Sequence, residues 1–90
     1  MTWNKIKQEI ISDLLSKKRN LSQPKRRISA FYRIESILQS NFPEFIRAPI
    51  IFFNNHKKEK VKQIITKIEG NKKINSAESS IINEIYYRIK

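Results

Sequence analysis

Apolar residues recur at helical spacing along most of this chain, and this periodicity limits the possible folds more than any other feature. Four stretches follow the i, i+3, i+4, i+7 pattern of an amphipathic helix, at 3–18, 24–40, 56–69 and 76–89. The chain has one glycine and three prolines, so few residues interrupt these stretches. We therefore predict an all-α fold in which residues 1–90 form one domain, a compact bundle of four to five short helices.

Local signals mark several of the predicted helix ends. Asn54 or Asn55 is placed to cap the helix at 56–69, and Gly70 follows it where a helix commonly ends in a positive-φ residue. Asn75 and Glu78 stand three residues apart before the last helix, as in a capping box. These signals predict a turn over 70–75 and a new helix from about residue 76.

The stretch 42–53 differs from the rest because it is nearly uncharged and rich in aromatic residues. Pro43 is placed to begin a short helix, and Pro49 is placed to end it. Residues 50–53 form an apolar run that is too short for periodicity to separate a buried strand from a buried helical turn. With no second clear strand to pair with, we expect helical or irregular structure here.

The aromatic side chains of 42–53 have two possible uses. We expect Phe42, Phe45, Phe52 and Phe53 to lie in the core, as aromatics in weakly charged stretches usually do. The alternative is a patch that docks a partner protein or a second copy of the chain, and the same rings have the shape to stack on bases. The remaining predicted core comprises Trp3, Phe31, Leu38, Ile64, Ile68 and Ile85.

The net charge is the main indicator of function. Nineteen Lys and Arg residues against eight Asp and Glu residues give a formal net charge of +11. A chain this basic attracts polyanions, and nucleic acid, either RNA or DNA, is the expected partner. The 17 isoleucines, 13 lysines and 8 asparagines are also what codon usage in an A+T-rich genome produces, so a solvated basic surface with no partner is the alternative.

The basic residues are clustered, which favours a functional surface over compositional background. The first cluster surrounds the connection between the first two helices and contains Lys17, Lys18, Arg19, Lys25, Arg26 and Arg27. The second lies at the start of the helix at 56–69 and contains Lys57, Lys58, Lys60 and Lys62. We predict that both clusters contact phosphates, and we expect the second to read little base sequence, because Gln63 is the one Arg, Asn or Gln residue in the middle of its helix. A helix-turn-helix around Gly70 is disfavoured, because the loop at 69–75 is longer than that motif uses.

The sequence offers little support for catalysis. His56 is the single histidine, and a small toxin-like ribonuclease using it as a general base is the weakest of the three candidate functions. Scattered carboxylates and the absence of cysteine predict neither a metal site nor a cofactor, and no small-molecule substrate is indicated. We therefore predict a binding protein rather than an enzyme.

The same features bear on location. No apolar run approaches the ~20 residues that span a bilayer, and the residues after Met1 lack the apolar stretch of a secretory signal. The basic amphipathic helices have stripes of ordinary width that a bundle core would bury, so no membrane partner is expected. We predict an intracellular, cytoplasmic protein that serves as an accessory subunit of a nucleoprotein complex.

Overall fold

The computed structural model describes residues 2–16 and 24–89, and these form six helices without a strand. The helices are α1 (Trp3–Leu15), α2 (Pro24–Asn41), α3 (Pro43–Arg47), α4 (Pro49–Asn55), α5 (Lys58–Ile68) and α6 (Ser76–Ile89). The longest helix, α2, packs against α1, α3, α5 and α6. The radius of gyration of 12.7 Å is close to the ~12 Å of a compact domain of this length, which confirms the predicted all-α bundle.

The core is built from side chains of all six helices. Its centre is a group of aromatic rings in which Trp3 stacks on Phe31 and Phe53, with ring centroids 5.7 and 5.4 Å apart. The indole Nε1 donates a hydrogen bond of 2.8 Å to Glu35 Oε2, so the polar edge of the ring is satisfied at the boundary of the core. The aliphatic part of the core is Ile6, Ile10, Leu14, Ile34, Leu38, Val61, Ile65, Ile81, Ile82 and Ile85.

The core predictions are right in the middle of the helices and wrong at one helix end. Phe31, Leu38 and Ile85 are buried, while Trp3 and Ile64 are half-buried. Ile68 is 37% exposed, although it follows the apolar stripe of α5. It is the last residue of that helix, and a side chain at a helix end has helical neighbours on one side only.

Local signals placed two boundaries correctly. The Asn75 side chain accepts from Glu78 N at 2.8 Å, and Glu78 Oε1 accepts from Asn75 N at 3.1 Å, which is the predicted capping box. Gly70 has φ 75°, and the N–H of Gly70 bonds to Lys67 O while that of Asn71 bonds to Thr66 O. These two bonds form a Schellman motif that ends α5.

Residues 50–53 are helical, which is one of the two structures expected for them, since Pro49 stands at the start of α4 as well as after α3. Two other boundaries differ from the prediction. The first helix ends at Leu15 rather than residue 18, because Ser16 has extended backbone angles. Asn54 and Asn55 belong to the last turn of α4, and Lys57 is the N-cap of α5.

Candidate nucleic-acid interface

The outward side of α6 carries a row of polar side chains that the core does not use. Ser80, Asn83 and Tyr87 follow one another at intervals of three and four residues, so they lie on one side of the helix. Asn83 is exposed, and Tyr87 is 79% exposed. A shallow depression of about 310 Å³ is lined by these three residues and Glu84.

Lys58 borders this row on one side. An adjoining depression of about 240 Å³ is lined by Lys58, Asn83, Tyr86 and Tyr87, so the first residue of α5 lies beside the exposed tyrosine. The depression shares Asn83 and Tyr87 with the one along α6. A cation from the second sequence cluster therefore lies next to neutral donors and an aromatic face.

Arg27 borders the same row through a direct contact. Its Nη1 donates a hydrogen bond of 3.0 Å to Ser80 Oγ, which joins the first turn of α2 to the middle of α6. The fold therefore brings one member of each basic cluster, Arg27 and Lys58, to a single face. We call this face the α6 surface and define it as Arg27, Lys58, Ser80, Asn83 and Tyr87.

The other predicted basic residues lie around or apart from the α6 surface. Lys25 and Arg26 are exposed in the first turn of α2, and Lys57 and Lys60 are exposed at the start of α5. Lys62 is half-buried, with its Nζ 3.7 Å from Glu59 Oε1, so a neighbouring carboxylate partly offsets its charge. Lys17, Lys18 and Arg19 lie outside the described residues.

Most of the carboxylates form ion pairs with Lys7, Arg33 or Arg88 rather than with the clustered cations. Arg33 pairs with Glu69 and Glu78, where Glu78 is only 3% exposed. Lys7 Nζ lies 3.0 Å from Glu35 Oε1. The acidic partners of Arg88 are Glu9, Asp13 and Glu84. These pairs tie helices together, and none of them includes Lys25 at the start of α2 or Lys57, Lys58 and Lys60 at the start of α5.

The helix ends add to the positive potential at these two places. The first turn of α2 holds Lys25, Arg26 and Arg27 and no acidic residue. Lys57, Lys58 and Lys60 stand at the N-terminal end of α5, with Glu59 as the acidic residue of that turn. The positive end of each helix dipole therefore coincides with a cluster of cations, which is unfavourable in the absence of an anion.

Glu84 is the one acidic residue that lines the α6 surface. Its Oε2 lies 3.7 Å from Arg88 Nε, so the carboxylate is directed toward a cation on its own helix. The same arginine reaches Asp13 and Glu9 on α1, with the contact to Glu9 at 3.4 Å. Arg88 therefore links α6 to α1. It is not the cation that accompanies Tyr87, although the two residues are neighbours in sequence.

The aromatic segment is buried, as the core interpretation predicts. Phe45, Phe52 and Phe53 are at most 1% exposed, and Phe42 packs against Phe52 with centroids 5.3 Å apart. The docking patch proposed for Phe42, Phe45, Phe52 and Phe53 therefore needs correction, because three of these rings are buried and Phe42 is half-buried. The exposed apolar side chains of the segment are instead Ile46, at 63%, and Ile51, at 58%.

His56 occupies a packed position rather than an open helix start. Its ring lies against Phe52 with centroids 4.5 Å apart, and its Nδ1 is 2.8 Å from Phe52 O. Tyr86 donates a 2.6 Å hydrogen bond to the His56 carbonyl, and burial raises the pKa of Tyr86 to about 12. A cavity of about 490 Å³ lies here, lined in part by His56, Lys57 and Lys58.

Within 2–16 and 24–89, no group of three or more His, Asp or Glu side chains is placed to hold a metal ion. In the same part of the chain, no helix combines the length and apolar character needed to cross a membrane.

Sequence reasoning missed Ser80 and Asn83, which carry no charge and match no motif. The helical period of α6 was the available signal, since it places both residues on the side opposite the buried isoleucines. The same period places Tyr87 on that side, and Tyr87 is exposed. Its proximity to Lys58 depends on how α5 packs against α6, which the sequence alone does not indicate.

The chain was compared with known proteins by sequence and by structure. No family model, no curated protein and no solved structure matches it. The assignment of the α6 surface as a candidate site therefore depends on its geometry and charge alone.

Proposed function

We propose that this protein binds nucleic acid through phosphate contacts made at and around the α6 surface. One observation carries the proposal: Arg27 and Lys58, from two basic clusters about thirty positions apart in sequence, border the same polar face of α6. A phosphate chain needs several cations along its path, and it gains affinity from each counterion that those cations displace. Ser80 and Asn83 supply neutral donors between the two cations.

The unfavourable charge arrangement at the start of α5 supports the same proposal. Cations at the positive end of a helix dipole destabilise the free protein, by about 0.3–1 kcal/mol each when exposed. A bound phosphate reverses the sign of that interaction, because it pairs with both the cations and the helix end. Such local conflicts within a well-packed fold are expected at functional sites.

The proposed role is binding rather than catalysis. A chain of 90 residues that contacts phosphates and reads little of the base sequence is suited to act as an accessory subunit of a nucleoprotein complex. His56, the residue that a ribonuclease would need, has its Nδ1 at a backbone carbonyl and its ring against Phe52. The proposal also fits the cytoplasmic location expected from the sequence.

The test compares two charge-reversal variants with equal changes in net charge. Lys57→Glu with Lys58→Glu alters the α6 surface, whereas Lys72→Glu with Lys73→Glu alters the exposed loop beyond the far end of α5. Binding of fluorescently labelled RNA and DNA is followed by anisotropy at physiological salt, where charges are screened beyond about 8 Å. We expect the first variant to lose about tenfold or more in affinity and the second to stay within about twofold.

Two outcomes would reject the proposal. Equal weakening by both variants would mean that net charge alone attracts the nucleic acid, without a defined surface. Unchanged binding in the first variant would remove Lys57 and Lys58 from the interface. Circular dichroism of each variant checks that the helices are intact.

A second candidate function is protein docking through Ile46 and Ile51. These two side chains are the exposed apolar members of 42–53, and Ile51 lines a shallow depression with Pro49 and Trp3. The two residues lie on α3 and α4, which contact each other, and exposed apolar side chains on such a face favour a protein contact. Ile46→Asp with Ile51→Asp would abolish an interaction of this kind and leave nucleic-acid binding unchanged.

A further inference from the structure

We propose that the α6 surface selects single-stranded nucleic acid, with Tyr87 stacking on an unpaired base of RNA or DNA. This inference rests on the proposed function and specifies the form of nucleic acid that the same surface takes. The defining juxtaposition is an exposed tyrosine ring beside a lysine and two neutral polar side chains, on one side of a helix.

The ring of Tyr87 is available for stacking. It is 79% exposed, and none of the aromatic rings in the described residues packs against it. It stands within α6, two residues before the end of the helix, so the backbone that carries it is held by helical hydrogen bonds. A ring on a fixed backbone loses little freedom when a base stacks on it, and such contacts contribute about 1–3 kcal/mol per base.

The neighbours of Tyr87 match the other parts of a nucleotide. Lys58 lies in the same depression and carries the charge that a phosphate needs. Asn83, one helical turn before Tyr87, can donate and accept hydrogen bonds at a base edge. At the other end of the row, Ser80 is held by Arg27, which supplies a second cation.

The dimensions of the surface fit a short stretch of single strand. Tyr87 stands seven positions after Ser80, which is about 10 Å along the helix. That length corresponds to about three nucleotides of a strand whose bases are stacked ~3.4 Å apart. In a duplex both faces of each internal base are already covered by its neighbours, so an exposed tyrosine on a helix surface gains nothing from stacking. The ring therefore favours unpaired bases.

Tyr32 provides a matched control within the same chain. It is the other exposed tyrosine among the described residues, at 47%, and it also has a lysine partner, with Lys7 Nζ 4.9 Å from its ring centroid. It lies on α2 with its ring beside Lys7 of α1, and it lines neither of the two depressions along α6. Removal of its ring tests whether any exposed tyrosine beside a lysine has the same effect.

The experiment measures the affinity of the full chain for labelled oligouridylate, oligothymidylate and a hairpin duplex. We expect tighter binding to the single strands, and Tyr87→Ala should weaken that binding by about five- to a hundredfold. Tyr87→Phe, which keeps the ring, should stay within about twofold of wild type, as should Tyr32→Ala. Photo-crosslinking to an iodouracil-substituted strand should label Tyr87, and the RNA and DNA arms show which sugar is preferred.

The possible results separate this inference from the proposed function. If Tyr87→Ala binds single strands as wild type does while Lys57→Glu with Lys58→Glu is weakened, stacking is overturned and phosphate binding stands. Preference for the duplex would likewise overturn strand selection. If no arm shows binding at low salt, the proposed function and this inference fail together.

Discussion

At the residue scale, the charged side chains divide into those that tie helices together and those left at the surface. Arg88 contacts three carboxylates and Arg33 contacts two, whereas Lys57, Lys58 and Lys60 are concentrated at one helix start. The order of residues in the sequence did not predict which charged side chains form ion pairs between helices and which stay at the surface. Tyr87 and Arg88 are adjacent in the chain, but consecutive helical residues point in different directions, so one faces solvent and the other reaches α1.

Tyr86 gives the residue-scale prediction, which concerns stability at high pH. Its folded-state pKa, raised to about 12 by burial, lies above the ordinary value of 10.0. The folded state therefore keeps a proton that the unfolded state releases, and its stabilising contribution is complete below pH 10 and is lost as the pH rises from 10 to 12. The hydrogen bond to the His56 carbonyl also requires that proton.

Chemical denaturation at a series of pH values measures this effect. Between pH 10 and 12 the free energy of unfolding of wild type should fall more steeply than that of Tyr86→Phe, which cannot titrate. The Phe variant retains every other titratable group, so the difference between the two proteins isolates the contribution of Tyr86. Parallel curves for the two proteins would show that Tyr86 titrates at the same pH in the folded and unfolded states.

At the scale of the helix, local signals predicted the ends that depend on backbone chemistry. The Asn75–Glu78 capping box and the positive φ of Gly70 arise from residues within one turn of each other, so the sequence is sufficient to predict them. The boundary between α4 and α5 was wrong by two residues, because Asn54 and Asn55 are good caps that the continuing helix from Pro49 does not use. Packing of Phe52 and Phe53 in the core holds that helix in place.

The cations at the start of α5 lead to a prediction with opposite effects on stability and binding. Lys57→Glu with Lys58→Glu places negative charge at the positive end of the α5 dipole, so it should stabilise the free protein by about 0.5–1 kcal/mol while weakening nucleic-acid binding. Thermal and urea unfolding at low salt measure the first effect.

The loop variant Lys72→Glu with Lys73→Glu controls for net charge. It reduces the overall repulsion between positive charges by the same amount, but its substitutions lie beyond the C-terminal end of α5. It should therefore stabilise the protein less than Lys57→Glu with Lys58→Glu does. If the Lys57 and Lys58 variant were no more stable than the loop variant, the charge conflict at the helix start would be refuted. A variant that is both less stable and weaker in binding would point to a packing role for Lys58.

At the scale of the molecule, composition predicted a polyanion partner, and helical periodicity predicted the bundle. Neither predicted the α6 surface, because it joins α2, α5 and α6, and the contact between Arg27 and Ser80 spans 53 residues. The sequence predicted phosphate contacts for every cation of the two clusters. In the folded chain, Lys62 is paired with Glu59, and Lys58 and Arg27 border the polar face.

The salt dependence of binding tests the central claim most directly. The logarithm of the binding constant for a short single strand is measured against the logarithm of salt concentration, for wild type and for Lys57→Glu with Lys58→Glu. If about four phosphates are neutralised, the wild-type slope should be about −3, and the variant should lose about 1.5 units of it. A slope near zero, or a slope that the variant leaves unchanged, would contradict phosphate binding at the α6 surface.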